Sequence, residues 1–236
     1  MTRQIVELLE VDNLAFPPLK NALNEPNGLL AVGGDLSVNR LQSAYRSGIF
    51  PWYSDGEPIM WWSPDPRGII LTGHLHINRT LRKILKQQNY TVTLNKAFDR
   101  VIDYCADAPF RKEETWIVDE MLSAYQNLHK HGIAHSIEVW MNDELAGGLY
   151  GVAVNGYFSG ESMFYRQSNG SKIALTYLND LLQSQNIPFI DCQMLNPFLE
   201  DMGCTEISRQ QFITLQKQAL AIELPEDFWR PRQLTL

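Results

Sequence analysis

The sequence contains few cysteines and no long apolar run, and both absences exclude classes of protein. Only three of its 236 residues are cysteine, namely Cys105, Cys192 and Cys204. They are too few and too scattered for the disulfide framework of a secreted domain. No apolar stretch approaches the roughly 20 residues that a membrane-spanning helix needs, and the N-terminal segment MTRQIVELLEVD carries acidic residues where a signal peptide has an apolar core. We therefore expect a cytoplasmic protein without a membrane partner.

The sequence also lacks a cluster of residues that could bind a metal ion. Metal sites in proteins need three or four ligands at close spacing. The five histidines are accompanied neither by cysteines nor by clustered carboxylates at such spacing; they are His74, His76, His129, His131 and His135. We interpret them as surface and helix-end residues and expect no metal.

The charge is distributed unevenly along the chain. The net charge is −7, yet residues 67–98 contain no Asp or Glu. The rest of the chain carries 14 basic against 27 acidic residues. The basic residues of the segment are Arg67, Arg79, Arg82, Lys83, Lys86 and Lys96. A locally basic segment can bind a phosphate backbone, whereas the field of the acidic remainder attracts cationic groups.

Part of this basic segment has helical periodicity. Residues 76–88 place Leu81, Ile84 and Leu85 on one face, which predicts a helix. Its four cations lie at i, i+3, i+4 and i+7 and form one stripe; they are Arg79, Arg82, Lys83 and Lys86. Such a stripe is usually a solvated face. Because four like charges without an interleaved acid cost helix stability, the stripe also favours a surface that follows phosphates.

Aromatic residues are concentrated in one short block. Three of the six tryptophans, Trp52, Trp61 and Trp62, fall within eleven residues. Large aromatics dominate burial, so the composition favours an interdomain core. The alternative is a platform on which a base or another aromatic ligand stacks.

A single carboxylate stands out in the segment FSGESMFYR, residues 158–166. Glu161 lies in a predicted strand that follows the hairpin signal Asn155-Gly156. A buried carboxylate must be paired or hydrogen-bonded, because otherwise it costs several kcal/mol, on the order of a buried unpaired charge. Glu161 is therefore a candidate functional group. The alternative is a structural role, either capping a turn or pairing with Arg166.

The following segments supply possible partners for Glu161. Residues 170–185 are predicted to form a helix and residues 188–194 a strand. A strand–helix–strand crossover makes the strands over 157–164 and 188–194 parallel neighbours, which brings Glu161 close to Asp191 and Gln193. Simple alternation places Asp191 and Gln193 on one face with Phe189, and Ile190, Cys192 and Met194 on the other.

These residues disfavour two kinds of covalent catalysis. GESMF resembles the elbow of a serine hydrolase, but Phe164 stands where the closing glycine is required. Cys192 is predicted to face away from Asp191 and Gln193, and no histidine accompanies it. The remaining chemistry is one in which the substrates bring both nucleophile and electrophile. The protein then orients them, accepts a proton and stabilises an oxyanion.

The order of elements is typical of acetyltransferase-like folds, in which antiparallel strands precede a strand–loop–helix–strand unit. Those folds carry a pyrophosphate loop that ends in a small residue, which lets the backbone approach the ligand. The equivalent stretch here is QSNGSK, and it ends in Lys172. This departure disfavours coenzyme A, so we expect no cofactor.

Several longer motifs occur in a fixed order: EPNGLLAVGGDLS, GIFPW, MWWSPDPRGII, HSIEVW, GGLYGV, GESMFYR and IDCQM. In this order they resemble the bacterial leucyl/phenylalanyl-tRNA–protein transferases, and the similarity extends from about Phe16 to Arg232. Members of that family move Leu or Phe, and sometimes Met, from aminoacyl-tRNA to proteins that begin with Arg or Lys. The transfer marks those proteins for degradation by the N-end rule pathway.

The resemblance also implies the fold. It indicates an α+β protein with a small N-terminal α/β domain over residues 1–65. A C-terminal acetyltransferase-like domain, a mixed sheet with flanking helices, is expected over residues 66–236. We expect a monomer whose partners are aminoacyl-tRNA and the acceptor protein.

Residue roles follow from the same resemblance. Glu161, Asp191 and Gln193 would hold the aminoacyl ester and the incoming amine, and Gln193, hydrogen-bonded with Asp191, would help the amine to lose its proton. Because an amide is a poor base, we expect Gln193 to act by positioning and by polarising the carbonyl, with Asp191 or Glu161 providing the negative field. Trp52 and Trp116 would contact the 3′ end of the tRNA, and Arg79, Lys83 and Lys86 would follow its acceptor-stem phosphates. The apolar pocket for Leu or Phe would be lined by Leu149, Met163, Leu175, Leu178, Leu182 and Ile190.

Two alternatives are compatible with the residues alone. One is a coenzyme-A-dependent N-acyltransferase on the same fold. The other is a non-catalytic module that binds tRNA or protein.

Overall fold

The computed structural model of the chain describes residues 6–107 and 117–236. Trp116 lies outside these described residues. In the described part, strands form two mixed sheets with helices packed around them. The α+β class expected from the sequence is confirmed.

The smaller sheet is built from the N-terminal part of the chain. Its strand order is β1-β2-β4-β3, with β1 and β2 parallel and the other pairs antiparallel. The strands are β1 (Glu7–Leu9), β2 (Leu29–Gly33), β3 (Phe50–Pro51) and β4 (Met60–Trp62). A short 3₁₀ helix (Leu19–Asn21) and helix α1 (Val38–Arg46) accompany them. Helix α1 begins after Ser37, whose side chain accepts a hydrogen bond from the Arg40 amide.

The larger sheet has the strand order β11-β5-β10-β9-β8-β7-β6-β12. Its strands are β5 (Arg67–Leu71), β6 (Thr91–Leu94), β7 (Ala134–Met141), β8 (Glu144–Val154), β9 (Tyr157–Tyr165), β10 (Phe189–Gln193), β11 (Thr205–Ile207) and β12 (Arg232–Leu234). The remaining helices are α2 (Arg79–Gln87), α3 (Phe98–Ala106), α4 (Asp119–Lys130), α5 (Gly170–Gln183), α6 (Pro197–Asp201) and α7 (Arg209–Leu220).

The predicted crossover is confirmed and positions the centre of the sheet. Strand β9 leads through α5 to β10, and the two strands are parallel neighbours. They pair only at Phe158 with Ile190 and at Ser159 with Asp191. Beyond these pairs, β9 and β10 diverge towards their C-terminal ends, which leaves a gap in the sheet beside Glu161 and Gln193.

Two apolar clusters cover the two faces of the larger sheet. One joins the sheet to α1, α3, α4, α7 and the small sheet, and the other joins it to α2, α5 and the C-terminal segment. Trp61 and Trp62 are buried in the first cluster, so the core interpretation is confirmed for these two residues. Trp52 is 39% exposed and packs against Trp62 with ring centroids 5.6 Å apart.

Helix α2 presents its cations to solvent. It begins at Arg79 rather than at residue 76, because the Asn78 side chain caps it by accepting from the Leu81 amide. Leu81 is buried against α5 and the sheet, whereas Arg79, Arg82, Lys83 and Lys86 are all exposed. No helix in the described part of the chain is both long enough and apolar enough to span a membrane.

Candidate active site

A cavity of about 670 Å³ opens where β9 and β10 diverge. This volume lies within the range of small-molecule sites in proteins, roughly 300–1,000 Å³. Its walls are mostly apolar, and Glu161, Ser162, Gln193 and Asn196 supply polar groups. The five predicted pocket residues that line it are Leu149, Met163, Leu175, Leu178 and Ile190.

Leu182 does not line this cavity, so the prediction for this residue was wrong. Its side chain is fully buried in the core cluster between α5 and the sheet. Leu182 follows Leu178 by one helical turn and lies about 6 Å further along α5. The helical face was predicted correctly, but the cavity ends before that turn. Phe198 and Leu199 of α6 complete the apolar wall instead.

A β-bulge presents Glu161 to the cavity. On β8, Tyr150 and Gly151 are consecutive, whereas their β9 partners are Ser162 and Gly160. Glu161 is therefore the extra residue, and a bulge of this kind redirects the side chain of the residue it contains. Position 151 on β8, which faces the bulge, requires glycine, because a Cβ there would lie 2.3 Å from the Ser159 carbonyl oxygen.

A second bulge on β10 corrects the predicted alternation of faces. Asp191 pairs with Ile69 and Gln193 with the next residue, Gly68, so Cys192 is the extra residue. Gln193 adopts a left-handed backbone conformation with φ of 63°. As a result, Cys192 and Gln193 both line the cavity, whereas Asp191 does not. The sequence had placed Asp191 and Gln193 on one face and Cys192 on the other.

Cys192 has none of the features of an activated thiol. The pKa of Cys192 is raised well above the ordinary cysteine value, mainly by a hydrogen bond with the neighbouring Cys204 thiol and also by burial. The thiolate is the nucleophilic form. The cavity wall at Cys192 is therefore a neutral thiol.

The Glu161 carboxylate accepts hydrogen bonds from three elements of the fold. Tyr125 donates from its hydroxyl to Oε2 at 2.8 Å, and Gln193 donates from Nε2 to Oε1 at 2.9 Å. The Ser159 hydroxyl donates to Oε1 at 3.3 Å. The alternative that Glu161 pairs with Arg166 is wrong, because Arg166 points away and donates to the Tyr104 hydroxyl at 3.1 Å.

These surroundings hold Glu161 near its titration point at neutral pH. Burial raises the pKa of Glu161 to about 7, and the negative charge of Asp191 adds to the increase. Hydrogen bonds from Tyr125, Tyr45 and Ser159 oppose it, because they stabilise the ionised form. A carboxyl group beside a cavity with its pKa raised towards neutral pH is typical of functional sites.

Asp191 is fully buried and faces away from the cavity. Arg67 donates to both of its carboxylate oxygens, from Nε to Oδ1 at 2.8 Å and from Nη2 to Oδ2 at 2.7 Å. The Tyr157 hydroxyl and the Gln193 backbone amide donate to the same carboxylate at 2.5 and 3.0 Å. Asp191 therefore fixes the backbone of Gln193 and cannot contact a substrate in the cavity. The expectation that Asp191 holds the ester and the amine was wrong.

The ion pair between Arg67 and Asp191 joins the two parts of the fold. The Arg67 guanidinium lies over the rings of Phe50 and Phe212, 4.9 and 4.5 Å from their centroids, and donates to the Gly48 carbonyl. Burial acts to lower the pKa of Arg67, but the charge of Asp191 outweighs it and the pKa is raised. The guanidinium is thus a permanent cation in the core.

Sequence reasoning missed five residues of this network: Arg67, Ser159, Tyr45, Tyr125 and Tyr157. A buried carboxylate at Asp191 does require a cation. The sequence offers 20 Lys and Arg residues, and nothing local distinguishes Arg67, which lies 124 residues from its partner. The tyrosines carry no signal in the sequence, since buried Tyr is common in any core.

Comparison with known proteins decides the family. The family model described as leucyl/phenylalanyl-tRNA protein transferase matches residues 69–217, and the model of its N-terminal domain matches residues 34–65. The chain is 60% identical over 238 residues to a leucyl/phenylalanyl-tRNA–protein transferase of Colwellia psychrerythraea, covering 99% of both chains. The chain belongs to this family.

Other relatives in the leucyl/phenylalanyl-tRNA–protein transferase family are similar along their whole length. The transferase of Pseudoalteromonas atlantica is 49% identical over 232 residues, covering 98% of this chain and 99% of its own. Among solved structures, L-PGS from Bacillus licheniformis aligns with a TM-score of 0.40 and 14% identity, over 78% of this chain and 58% of that one.

Four of the residues expected to bind tRNA are described by the structure, and these four lie outside the cavity. Trp52 follows β3 in the small sheet, and Arg79, Lys83 and Lys86 lie on α2. In the described residues, the ion pairs are Arg40–Asp35, Arg67–Asp191 and Lys172–Asp201, so the α2 cations are not engaged in any of them. Trp116 lies outside the described residues.

Proposed function

We propose that this chain transfers Leu or Phe from aminoacyl-tRNA to the α-amine of proteins that begin with Arg or Lys, and so marks them for degradation by the N-end rule pathway. The observation that carries the proposal is the Gln193 amide, held by Glu161 at an apolar cavity. Membership of the transferase family supports the same reaction.

The cavity suits an aliphatic or aromatic aminoacyl side chain. The side chains of Leu149, Met163, Leu175, Leu178 and Ile190 offer apolar contacts and have no strong polar group that would need a hydrogen-bond partner on the substrate. An apolar pocket separates similar side chains by only about 1–3 kcal/mol. The use of Leu, Phe and also Met is therefore expected on physical grounds.

Gln193 has one polar atom left for the reaction. Because its Nε2 donates to Glu161, its Oε1 is available to accept a hydrogen bond from the incoming amine. The amine nitrogen attacks the ester carbonyl carbon, the bond from that carbon to the 3′-terminal ribose oxygen breaks, and the amine proton passes to the released oxygen. An amide is a poor base, so Gln193 contributes positioning rather than proton removal. Attack needs the neutral amine, whose ordinary pKa is about 7.7–8.0.

The acidic surroundings favour a cationic acceptor. Glu161 in its ionised form carries negative charge at the cavity, and the chain as a whole has a net charge of −7. Both raise the local concentration of a positively charged N-terminal residue. This supports Arg and Lys over neutral or acidic N-termini.

Helix α2 supports binding of the tRNA backbone. Its exposed cations form one stripe on a helix without acidic residues, which suits successive phosphates. We assign the acceptor stem to Arg79, Lys83 and Lys86, and the 3′ end to Trp52 and Trp116. Stacking of a base on a half-exposed tryptophan such as Trp52 is favourable for any base.

We propose that the protein acts as a monomer. We also propose a domain boundary near residue 65. The small sheet uses strands between Glu7 and Trp62 only, whereas the larger sheet begins with Arg67. The reaction belongs to the cytoplasm, where aminoacyl-tRNA is used for translation.

The test uses tRNA charged with labelled leucine and four peptides that differ only at the N-terminus: Lys, Arg, Glu and N-acetyl-Lys. We expect label on the Lys and Arg peptides and none on the acetylated peptide, which lacks a free α-amine. Absence of label from every peptide, with charged tRNA that is active in a ribosomal assay, would refute the proposed function. Equal labelling of the Glu peptide would refute only the acceptor preference.

A further inference from the structure

A chain of hydrogen bonds runs from the N-terminal part of the fold to Gln193. The hydroxyls of Tyr45 on α1 and Tyr125 on α4 are 2.6 Å apart. Tyr125 donates to Glu161 Oε2 at 2.8 Å, and Glu161 Oε1 accepts from Gln193 Nε2 at 2.9 Å. Both tyrosine rings are buried, so water does not substitute for either hydroxyl.

The donor and acceptor roles along this chain are fixed when Glu161 is ionised. A carboxylate only accepts, so the one hydroxyl proton of Tyr125 is committed to Glu161. Tyr45 must then donate in the contact between the two hydroxyls, so its proton lies between the Tyr125 oxygen and the Glu161 carboxylate. At the other end, the Gln193 amide must turn its NH₂ group to Glu161, which leaves Oε1 for the amine.

We propose that Tyr45 and Tyr125 are positioning residues that keep Glu161 as a hydrogen-bond acceptor and thereby orient the Gln193 amide. This inference rests on the proposed transfer reaction. Neither tyrosine lines the cavity, so both act through Glu161 rather than on a substrate. Protonated Glu161 can donate as well as accept, and the Gln193 amide then loses the constraint that sets its orientation.

The groups around Glu161 determine how it responds to pH. Tyr45 faces it from α1, Tyr125 from α4, Ser159 from β9, and Asp191 and Gln193 from β10. Tyr150 of β8 packs against Tyr125. The charge of Asp191 is paired with Arg67 and lies beside the Tyr157 hydroxyl.

The sign of the pH effect follows from these contacts. Burial raises the pKa of Glu161 to about 7, and the tyrosine hydrogen bonds act to lower it. Removing the Tyr125 hydroxyl therefore raises this pKa further. Since the ionised form orients Gln193, activity is present above the pKa of Glu161 and is lost as the pH falls through it. In Tyr125→Phe the loss begins at higher pH.

The experiment measures leucine transfer by Tyr125→Phe and wild type from about pH 6 to about pH 9, with one Lys peptide as acceptor. The acceptor α-amine titrates identically for both proteins, so the ratio of the variant rate to the wild-type rate cancels its contribution. An upward pKa shift of about one unit lowers this ratio to about one-tenth at the acidic end and leaves it near one at the alkaline end. Tyr53→Phe is the matched control, because the Tyr53 hydroxyl also donates to a carboxylate, Glu120 at 3.4 Å.

A ratio for Tyr125→Phe that is constant with pH would overturn the inference, since a purely structural defect lowers activity equally at all pH values. So would a profile that matches Tyr53→Phe. Transfer by the wild type in the same assay tests the proposed function separately.

If Tyr125→Phe does not fold, the ¹³C resonance of the Glu161 carboxyl group tests the inference instead. It is followed through a pH titration in wild type and in Tyr45→Phe, and identified by its absence in Glu161→Gln. We expect a midpoint near pH 7 in wild type, from the pKa of about 7 for Glu161, and a higher midpoint in Tyr45→Phe. Equal midpoints would overturn the inference.

Discussion

Replacing Arg67 by Met tests the buried ion pair that supports Gln193. Arg67 and Asp191 are 1% and 0% exposed, and their closest atoms, Nη2 and Oδ2, are 2.7 Å apart. Methionine retains much of the packing against Phe50 and Phe212 but leaves the Asp191 charge without a cation. Removing one partner of a buried pair costs ~3–5 kcal/mol. We expect Arg67→Met to lower the free energy of unfolding by that amount.

The double variant Arg67→Met/Asp191→Asn separates charge from packing. The asparagine carbonyl still accepts a hydrogen bond from Tyr157 or from the Gln193 amide, and no charge is left unpaired in the core. We expect the double variant to be more stable than Arg67→Met alone. The stability losses of Arg67→Met and Asp191→Asn, added together, should exceed the loss of the double variant by ~2 kcal/mol or more, because the effects of residues in direct contact are not additive.

The assay is urea unfolding followed by circular dichroism and by tryptophan fluorescence, and Lys172→Met is the matched control. Lys172 and Asp201 are as close, 2.6 Å, but 21% and 50% exposed, and an exposed pair adds little to stability because water and salt screen it. The reasoning would be refuted if Arg67→Met lost no more stability than Lys172→Met. Leucine transfer by Arg67→Met should also fall, because Asp191 then no longer fixes the Gln193 backbone.

Three further predictions concern the cavity, the tRNA surface and the bulge. Leu178→Phe fills part of the cavity and should lower kcat/KM for Phe-tRNA relative to Leu-tRNA by about tenfold; an unchanged ratio would mean that Leu178 does not contact the aminoacyl side chain. Lys83→Ala should reduce the slope of log affinity for tRNA against log salt by about 0.7–0.9, measured by filter binding, while the exposed Lys217→Ala leaves it unchanged. Gly151→Ala places a Cβ 2.3 Å from the Ser159 oxygen and should cost at least ~1–3 kcal/mol by urea unfolding; wild-type stability would argue against the bulge at Glu161.

The arrangement of strands could be predicted because it depends on regular rules. The Asn155-Gly156 turn gives adjacent antiparallel strands, and a strand–helix–strand unit gives parallel neighbours with one handedness. The second rule brings Glu161 and Gln193 together, because they lie on the two strands of that unit, and the structure places their side chains in contact.

The orientation of the site residues could not be predicted, since it depends on two irregularities. Alternation assumes that every residue takes part in the strand pairing, whereas Glu161 and Cys192 are each the extra residue of a bulge. Whether a bulge forms depends on the neighbouring strand, such as the space that Gly151 leaves. The partner of Asp191 depends on tertiary packing in the same way, because Arg67 reaches it from a strand 124 residues earlier in the chain.

The most direct test of the proposed reaction compares wild type with Gln193→Ala. Both are incubated with leucyl-tRNA and a peptide that begins with Lys, and the product is sequenced by mass spectrometry. We expect wild type to add one leucine to the α-amine, and Gln193→Ala to add it at a much lower maximal rate with its fold intact. Transfer by Gln193→Ala at the wild-type rate, or leucine attached at the lysine side chain, would contradict the proposal.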